Sequence, residues 1–313
     1  MELIRYESPF DAGETLDLIE KIFGKYEREL ETPQLNGDEA DVNRDIVYLA
    51  KEGDTLLGMI HATIPTRLPF LGGVSAMCTT EAARGRGIGR ILFEKIVEEM
   101  DKEGVRYSLL GTGNPIAAKL YASCGYSYLP VSGVMMRLLE GGVVDFNRKL
   151  YTNPSGKVTV SEGGADMRIP LIPLALLRED HEILDANIEL VSPGVFAQSY
   201  CMSLYPRYID LKKRGGKYFA ARDEAGLLGG VASIIADENG RMRADYFTAK
   251  GFRETAPALV AAVTKEHPEA YFEVGEGDGA KISLLTSLGY TEGEHRLYRH
   301  RGMLIPTVIF EKK

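Results

Sequence analysis

The chain has 313 residues, of which 44% are hydrophobic and 26% are charged, and its formal net charge is −8. This composition indicates a soluble globular protein that is long enough for two domains. The acidic balance disfavours non-specific binding of nucleic acid, and no apolar stretch has the length of a membrane span. The first five residues lack the regions of a signal peptide, so we expect a cytoplasmic location and no membrane association.

Three cysteines occur in the chain, Cys78, Cys124 and Cys201. They have neither the CxxC spacing nor the nearby histidines that a metal site requires. We therefore expect reduced, mostly buried thiols, with Cys124 in a packing role, and no metal.

Hydrophobic periodicity predicts the elements of the first half of the chain. A helix is favoured over residues 11–24, and a second helix or a loop follows as far as Arg44. The next elements are a β-hairpin, a third strand, a glycine loop that opens an amphipathic helix, a strand, a short helix and two closing strands. The hairpin strands cover residues 46–51 and 56–64, and the third strand covers residues 74–78. The amphipathic helix covers residues 88–100, the next strand 106–111 and the short helix 115–123. The closing strands cover residues 126–129 and 134–139. This order predicts an α/β (α+β) three-layer fold, in which helices flank a mixed, mostly antiparallel central sheet.

The same pattern returns in the second half of the chain. Residues 48–58 resemble residues 218–229, and their final glycines are 171 positions apart. Two short segments within residues 111–126 return within residues 275–290 at an offset of 164. The two offsets differ by seven residues, and these residues are missing from the glycine loop, which is shortened in the second copy.

The stretch between the copies contains adjacent glycines, an Asn-Pro pair and no clear periodicity, which is typical of a connection. We therefore predict two domains, at residues 1–145 and 158–313, joined by a linker over residues 146–157.

The loop Arg84-Gly-Arg-Gly-Ile-Gly-Arg90 has the composition of a phosphate site. Glycines let the backbone approach an anion, and the free N–H groups at the start of a helix attract it. Arginines add charged donors. The loop lacks the Gly-Lys-Ser/Thr ending of a P-loop, and its glycines follow GxGxG rather than the GxGxxG of dinucleotide-binding folds.

Two motifs within residues 1–140 resemble the GNAT superfamily of acyl-CoA-dependent N-acyltransferases. The first is the cofactor signature Arg/Gln-x-x-Gly-x-Gly/Ala, which stands here at residues 84–89. The second is Asn-x-x-Ala-x-x-Leu-Tyr followed by Gly-Tyr/Phe, which stands at residues 114–121 and 125–126. The two motifs in this order form a strong signal, and together with the repeat they imply tandem GNAT-like domains.

The resemblance also implies how acetyl-CoA would be held. The backbone from Arg84 to Arg90 would bind the pyrophosphate, and the backbone near Cys78 would pair with the pantetheine arm like an added strand. One of those N–H groups would stabilise the developing oxyanion, and Asn114 would reach the pantetheine. The expected cofactor-binding residues are Met77, Cys78, Thr79, Arg84, Gly85, Arg86, Gly87, Ile88, Gly89, Arg90 and Asn114.

Tyr121 is the expected general acid, although a core aromatic is the alternative that its helix leaves open. A phenol with a pKa of about 10 is protonated at neutral pH and can donate to a thiolate whose thiol titrates at about 8.5. The acceptor amine must lose a proton before it attacks. Glu27, Glu31, Glu81 and His61 are candidates for that base, and the sequence does not choose among them.

The second copy departs from the motif at several positions. Asp278 stands where the first copy has Asn114, and Leu285 stands where it has Tyr121. We therefore expect a degenerate domain that does not bind CoA in this mode and that closes the substrate cleft or mediates dimerisation. Residues 200–213 contain three tyrosines that could line a cleft, although the pattern favours a buried helix.

The sequence predicts an N-acetyltransferase that moves an acetyl group from acetyl-CoA to a primary amine by direct attack in a ternary complex. The acceptor is a small-molecule or peptide amine, and a homodimer is left open. The alternative from another functional class is a non-catalytic sensor or scaffold that binds acyl-CoA.

Overall fold

The computed structural model describes residues 1–129, 132–176, 183–191, 204–300 and 302–312. They form two compact units that divide along the chain between Gly142 and Val143. Two sheet-containing units were expected from the repeat, whereas the boundaries at residues 145 and 158 stay predictions.

The elements of the first unit follow the hydrophobic periodicity closely. In its longest helix the predicted apolar stripe, Ile88, Leu92, Ile96 and Met100, is at most 2% exposed. The elements are β1 (Glu2–Glu7), α1 (Gly13–Phe23), α2 (Lys25–Asn36), β2 (Asn43–Glu52), β3 (Thr55–Pro65), β4 (Leu71–Thr79), α3 (Ile88–Lys102), β5 (Tyr107–Gly111), α4 (Pro115–Ser123), β6 (Tyr126–Tyr128) and β7 (Val134–Leu138).

Seven strands of the first unit form one mixed sheet in the order β1-β2-β3-β4-β5-β7-β6. All neighbours are antiparallel except β4 and β5, which are parallel and are connected through α3. Three residue pairs join these two strands, from Leu71–Tyr107 to Gly73–Leu109. Since β4 continues to Thr79, the two strands separate towards their carboxyl ends.

A β-bulge lies in β4 where the two strands have separated. Met59 and His61 are two positions apart in β3, whereas their partners Cys78 and Ser75 are three positions apart in β4. The extra residue is accommodated by Ala76, whose φ is +47°. A bulge of this kind interrupts the alternation of side chains along a strand. Ala76 therefore joins Cys78 on one face of the sheet, while Met77 lies on the other.

The sheet of the first unit has an apolar core on each face. On one face α3 and α4 pack through side chains such as Phe93 and Tyr121. On the other face α1 and α2 pack through Ile19 and Leu35 against Met59. The bulge in β4 thus lies between two layers of helix.

The second unit repeats this architecture. Its large sheet has the order β15-β16-β14-β13-β12-β11-β8, and only β13 and β14 are parallel. The prediction of two tandem domains with mixed, mostly antiparallel sheets is therefore confirmed. The elements are α5 (Val143–Tyr151), β8 (Thr159–Glu162), α6 (Leu171–Leu176), β9 (Ile183–Asp185), β10 (Leu190–Val191), α7 (Leu204–Lys213), β11 (Lys217–Arg222), β12 (Leu228–Ala236), β13 (Met242–Thr248), α8 (Ala256–Val263), β14 (Tyr271–Gly275), α9 (Gly279–Ser287), β15 (Thr291–His300) and β16 (Met303–Glu311).

The two units also agree in the bounds of corresponding elements. Both β5 and β14 run from a tyrosine to a glycine, and α4 and α9 each have nine residues. Both pairs are separated by the offset of 164 that the sequence repeat gives. The alignment of the two halves can therefore be used residue by residue at this place in the fold.

Two features of the chain differ from the sequence-based expectation. The predicted linker over residues 146–157 begins inside helix α5, whose Phe146, Leu150 and Tyr151 are buried in the second unit. Strand β1 was not predicted, although it pairs along its length with β2.

Of the stretch 200–213, the described part is helix α7, with Tyr205 and Tyr208 buried, and Cys201 lies outside the described residues. Among those residues, no helix is both long and apolar enough to cross a membrane.

Gly229 in β12 provides a test of the packing in the second unit. A Cβ atom at this position would lie 1.9 Å from Cδ1 of Phe252, whose ring is fully buried. We expect Gly229→Ala to lower the free energy of unfolding by about 1–3 kcal/mol, because the core must be overpacked to admit the methyl group. Gly277→Ala is the control, since its Cβ would meet nothing within 4 Å. Urea denaturation checks the prediction, and equal midpoints for the two variants would contradict it.

Candidate active site

The cleft between the separating ends of β4 and β5 brings together most of the residues that the sequence analysis selected. Met77 lies at the bulge in β4, and its side chain faces α3 and α4. The Oη atom of Tyr121 donates a hydrogen bond to Sδ of Met77 at 3.5 Å. A Cβ atom at Gly89 would lie 3.1 Å from Cε of the same methionine. The glycine loop, the bulge and the tyrosine are therefore neighbours.

The glycine loop adopts a conformation that leaves its amides available. Gly85 and Gly87 have φ values of +77° and +78°, in the left-handed region that favours glycine. Gly87 is the N-cap of α3, and no side chain caps that helix end. None of the described residues accepts a hydrogen bond from the backbone N–H groups of residues 85–90. These amides and the start of α3 are suited to an anion.

The three arginines of the loop are exposed, and two of them form surface ion pairs. Arg86 lies 3.1 Å from Glu52, and Arg90 lies 3.3 Å from Glu94. Exposed pairs of this kind contribute about 0–1 kcal/mol, so a phosphate can displace the carboxylates at little cost.

Tyr121 is buried, with 7% of its surface exposed, and its ring lies 4.5 Å from that of Phe93. Burial raises the pKa of Tyr121 to about 12. The phenol therefore stays protonated at neutral pH and can act as a donor, while its ring also contributes to the core. The two interpretations left open by the sequence are both consistent with its position.

Asn114 lies after the end of β5 and caps α4. Its Oδ1 atom accepts hydrogen bonds from the N–H groups of Ile116 at 2.9 Å and Ala117 at 3.4 Å. This capping fixes the start of the helix that carries Tyr121, a role that the sequence analysis did not predict.

Cys78 follows Met77 but lies on the opposite face of the sheet, beside α1 and α2. Burial raises the pKa of its thiol to about 12. A protonated, buried thiol is a weak nucleophile, so what the position offers the site is its backbone.

A buried polar cluster lies on the same face of the sheet, and sequence reasoning identified only part of it. Nδ1 of His61 lies 2.6 Å from Oε2 of Glu31 and 3.0 Å from Oγ of Ser75. Nε2 of His61 lies 2.9 Å from Oδ1 of Asp45, which also accepts from Thr63 at 2.7 Å. The signal for Asp45 was its place two residues before Val47 in β2, in alternation with side chains of the α1–α2 face.

The charge of His61 follows from these contacts. Burial alone would lower the pKa of His61, but Glu31 and Asp45 together raise it to about 10. The side chain is therefore an imidazolium at neutral pH and has no free site for a proton. This removes His61 from the candidate bases, while Glu81 is exposed in a short turn before the glycine loop.

Comparison with protein families supports the assignment of the first unit. Residues 14–126 match the model of the Acetyltransferase (GNAT) family. These residues form a GNAT acetyltransferase domain. The match covers α1 to the start of β6 and therefore includes the glycine loop, the bulge and Tyr121.

Solved structures similar to this chain include several acetyltransferases. A GNAT-family acetyltransferase from Staphylococcus aureus Mu50 is 16% identical, with 44% of this chain and 100% of that chain covered and a TM-score of 0.34. A phosphinothricin acetyltransferase from Sinorhizobium meliloti in complex with acetyl-CoA is 17% identical, with 50% and 87% covered and a TM-score of 0.36. A chimera of Vibrio cholerae spermidine N-acetyltransferase and hSSAT is 15% identical, with 50% and 96% covered and a TM-score of 0.36. A search of curated proteins finds no match.

Within the second unit, side chains fill the place that corresponds to the cleft of the GNAT domain. Nζ of Lys281 on α9 lies 2.7 Å from Oδ1 of Asp245 on β13, and both side chains are at most 4% exposed. The repeat aligns Lys281 with Ala117 and Asp245 with Val74. A buried ion pair therefore replaces two small apolar side chains at the place where β13 and β14 separate.

In the second unit, the glycine loop and the position of Tyr121 are also replaced by buried apolar side chains. The shortened loop is a 3₁₀ turn, Lys250–Thr255, and its Phe252 is fully buried. Leu285, at the position of Tyr121, is also fully buried. The cavity that remains beside Lys281 has a volume of about 110 Å³. Ligand pockets usually measure about 300–1,000 Å³, so this space is too small for a pantetheine arm.

Replacement of His61 should show how far the first unit depends on the buried imidazolium. We expect His61→Gln to lower the free energy of unfolding by about 3–5 kcal/mol at pH 7, because it leaves two buried carboxylates without their cation. The control is His267→Gln, since His267 is 38% exposed beside Glu269.

The pH dependence of stability gives a second measure of the same charge. The pKa of His61 is raised from 6.5 to about 10, so its stabilisation is full below pH 6.5 and is lost as the pH rises through about 10. Urea denaturation at several pH values should show that loss in the wild type and not in His61→Gln. Parallel pH curves for the two proteins would contradict the assignment.

Proposed function

We propose that the GNAT domain transfers an acetyl group from acetyl-CoA to a primary amine by direct attack in a ternary complex. The observation that carries the proposal is the meeting of the uncapped glycine loop, the bulge in β4 and the hydroxyl of Tyr121 in one cleft. A cytoplasmic location and a homodimer stay predictions from the sequence.

The residues of the cleft fit acetyl-CoA. The unpaired amides of residues 85–90 match a pyrophosphate, and the arginines beside them offset the net negative charge of the protein. Beyond the last pair with β5, the edge of β4 at Met77, Cys78 and Thr79 is available to an extended pantetheine arm. Asn114 stands across the cleft at the start of α4, where its amide N–H₂ can donate to the arm.

The chain would then act at two atoms of the bound thioester. A backbone N–H group of residues 77–79 would donate to the carbonyl oxygen, where negative charge develops as the amine attacks. The new C–N bond forms as the C–S bond breaks. Tyr121 would give its proton to the departing sulfur and recover one from solvent.

The burial of the cleft sets the conditions for that proton transfer. A pKa of about 12 makes Tyr121 a weak acid compared with an exposed phenol. A thiolate released beside this buried phenol would be destabilised by the same loss of solvation, so the donor and the acceptor of the proton stay matched.

Tyr121→Phe tests the role of the hydroxyl. We expect turnover to fall by about 10²–10⁴-fold, because the sulfur would leave without general acid assistance. The affinity for CoA should stay nearly unchanged, since the ring is retained. Release of CoA thiol in the presence of a panel of amines measures turnover, and Tyr128→Phe is the control because Tyr128 is 51% exposed. Equal turnover of the two variants would remove Tyr121 from this role.

Gly87→Val tests the glycine loop. A β-branched residue at a φ of +78° costs about 1–3 kcal/mol of backbone strain and changes the direction of the amides, so CoA affinity should fall by at least about tenfold. Gly104→Val is a matched control, because Gly104 has a φ of +86° after the other end of α3. Isothermal titration calorimetry should give one CoA per chain for the wild type. Normal affinity in Gly87→Val would contradict the assignment of the loop.

A further inference from the structure

Helix α2 runs along β3 in a register that two hydrogen bonds define. Oε1 of Gln34 accepts from Thr63 at 3.1 Å, and Oε2 of Glu31 lies 2.6 Å from His61. Four residues of helix and two residues of strand each advance by about 6–7 Å. The next turn of α2 towards its start therefore brings Glu27 to the level of Met59 in β3.

This level is the end of β4 that the proposed function uses. Met59 is the cross-strand partner of Cys78, and the side chain of Cys78 lies on the face that α1 and α2 cover. The carboxylate of Glu31 is close enough to Cys78 to contribute to the raised pKa of its thiol. The acidic turn of α2 is therefore level with residues 77–79 along the strands, on the face of the sheet away from Tyr121, where α1 packs against β3 and β4.

Glu27 and Glu31 are one helical turn apart but differ in their freedom to react. Glu31 is 7% exposed and is paired with the imidazolium of His61, so its carboxylate is not available to accept a proton from a substrate. Glu27 forms no ion pair among the described residues and is partly exposed. Burial and, to a smaller extent, the charge of Glu31 raise the pKa of Glu27 above its ordinary value. A raised pKa is the property that a carboxylate base needs.

The other charged groups around Glu27 do not neutralise it. Behind Glu31, Asp45 adds a second carboxylate for the single imidazolium of His61, so the cluster keeps a negative charge. From α1, Asp17 and Glu20 pair with Arg28 on α2. The local field therefore favours a cation in front of α2.

We propose that Glu27 is the general base of the reaction, and that the acceptor is an alkylammonium cation which reaches residues 77–79 from the α2 side of the sheet. This inference rests on the proposed function. The N–H bond of the ammonium breaks and its proton passes to a carboxylate oxygen of Glu27, directly or through one water. The freed electron pair forms the C–N bond, and Glu27 later returns the proton to solvent. Glu31 is a positioning residue, because its bond to His61 fixes α2 against the sheet.

The test compares Glu27→Gln with Glu29→Gln, which removes an exposed carboxylate from the same helix. We expect Glu27→Gln to lower kcat/KM for alkylamines by about 10²–10⁴-fold and Glu29→Gln to have no such effect. In the wild type, kcat/KM should fall on the acid side as Glu27 becomes protonated, at a pH above the ordinary range for glutamate. That limb should be absent in Glu27→Gln and partly restored in Glu27→Asp. Calorimetry with CoA should give the same affinity for all four proteins.

The outcomes separate the two proposals. If the wild type acetylates alkylamines and Glu27→Gln keeps both the rate and the acid limb, the assignment of Glu27 is wrong while acetyl transfer stands. If Glu27→Gln is slower than the wild type by the same factor at every pH, so that the acid limb is kept, and Glu27→Asp restores nothing, the role of Glu27 is structural and the inference is overturned. If the wild type binds CoA and acetylates no amine, the proposed function fails and this inference fails with it.

Discussion

The separation of β4 and β5 after three residue pairs is the constraint on which the site of the GNAT domain depends. If the parallel pairing continued to the end of β4, the backbone groups of residues 77–79 would be hydrogen-bonded to β5 within the sheet. Because the strands part, those groups become an edge inside the molecule, and α4 and α3 can bring Tyr121 and the glycine loop to it. The bulge at Ala76 then divides the side chains between the two faces of the sheet.

The two faces serve different chemical needs. The α3 side is mostly apolar and carries Tyr121, so it suits a thioester sulfur and the phenol proposed to protonate it. The α2 side carries Glu27, Glu31 and Asp45 with one imidazolium, and it suits a cation that must lose a proton. In the proposed reaction the proton donor Tyr121 and the proton acceptor Glu27 would therefore belong to helix layers on opposite faces of the sheet.

Much of the fold and part of the site could be predicted from the sequence. Helix α3 was predictable because its apolar spacing and its glycine start agree, and α4 because Pro115 and Gly125 mark its ends. Strand β1 was missed because its apolar residues, Leu3, Ile4 and Tyr6, do not alternate regularly over so short a segment, and its place depends on pairing with β2. Helix α5 carries Phe146 and Leu150 at helical spacing, but glycines on both sides outweighed that signal. The charge of His61 could not be predicted at all, since its partners come from α2 and β2 and meet it only in the folded chain.

The ion pair of Lys281 and Asp245 has a consequence for the history of the second domain. A single substitution of either residue towards its counterpart in the GNAT domain, Ala117 or Val74, removes the ion-pair partner of a charge that stays buried. Such an intermediate loses about 3–5 kcal/mol, a large part of the about 5–15 kcal/mol that ordinarily holds a domain folded. Each single-step route back to an open cleft therefore passes through a poorly folded protein. Selection for stability alone therefore disfavours the loss of either charge once both are in place.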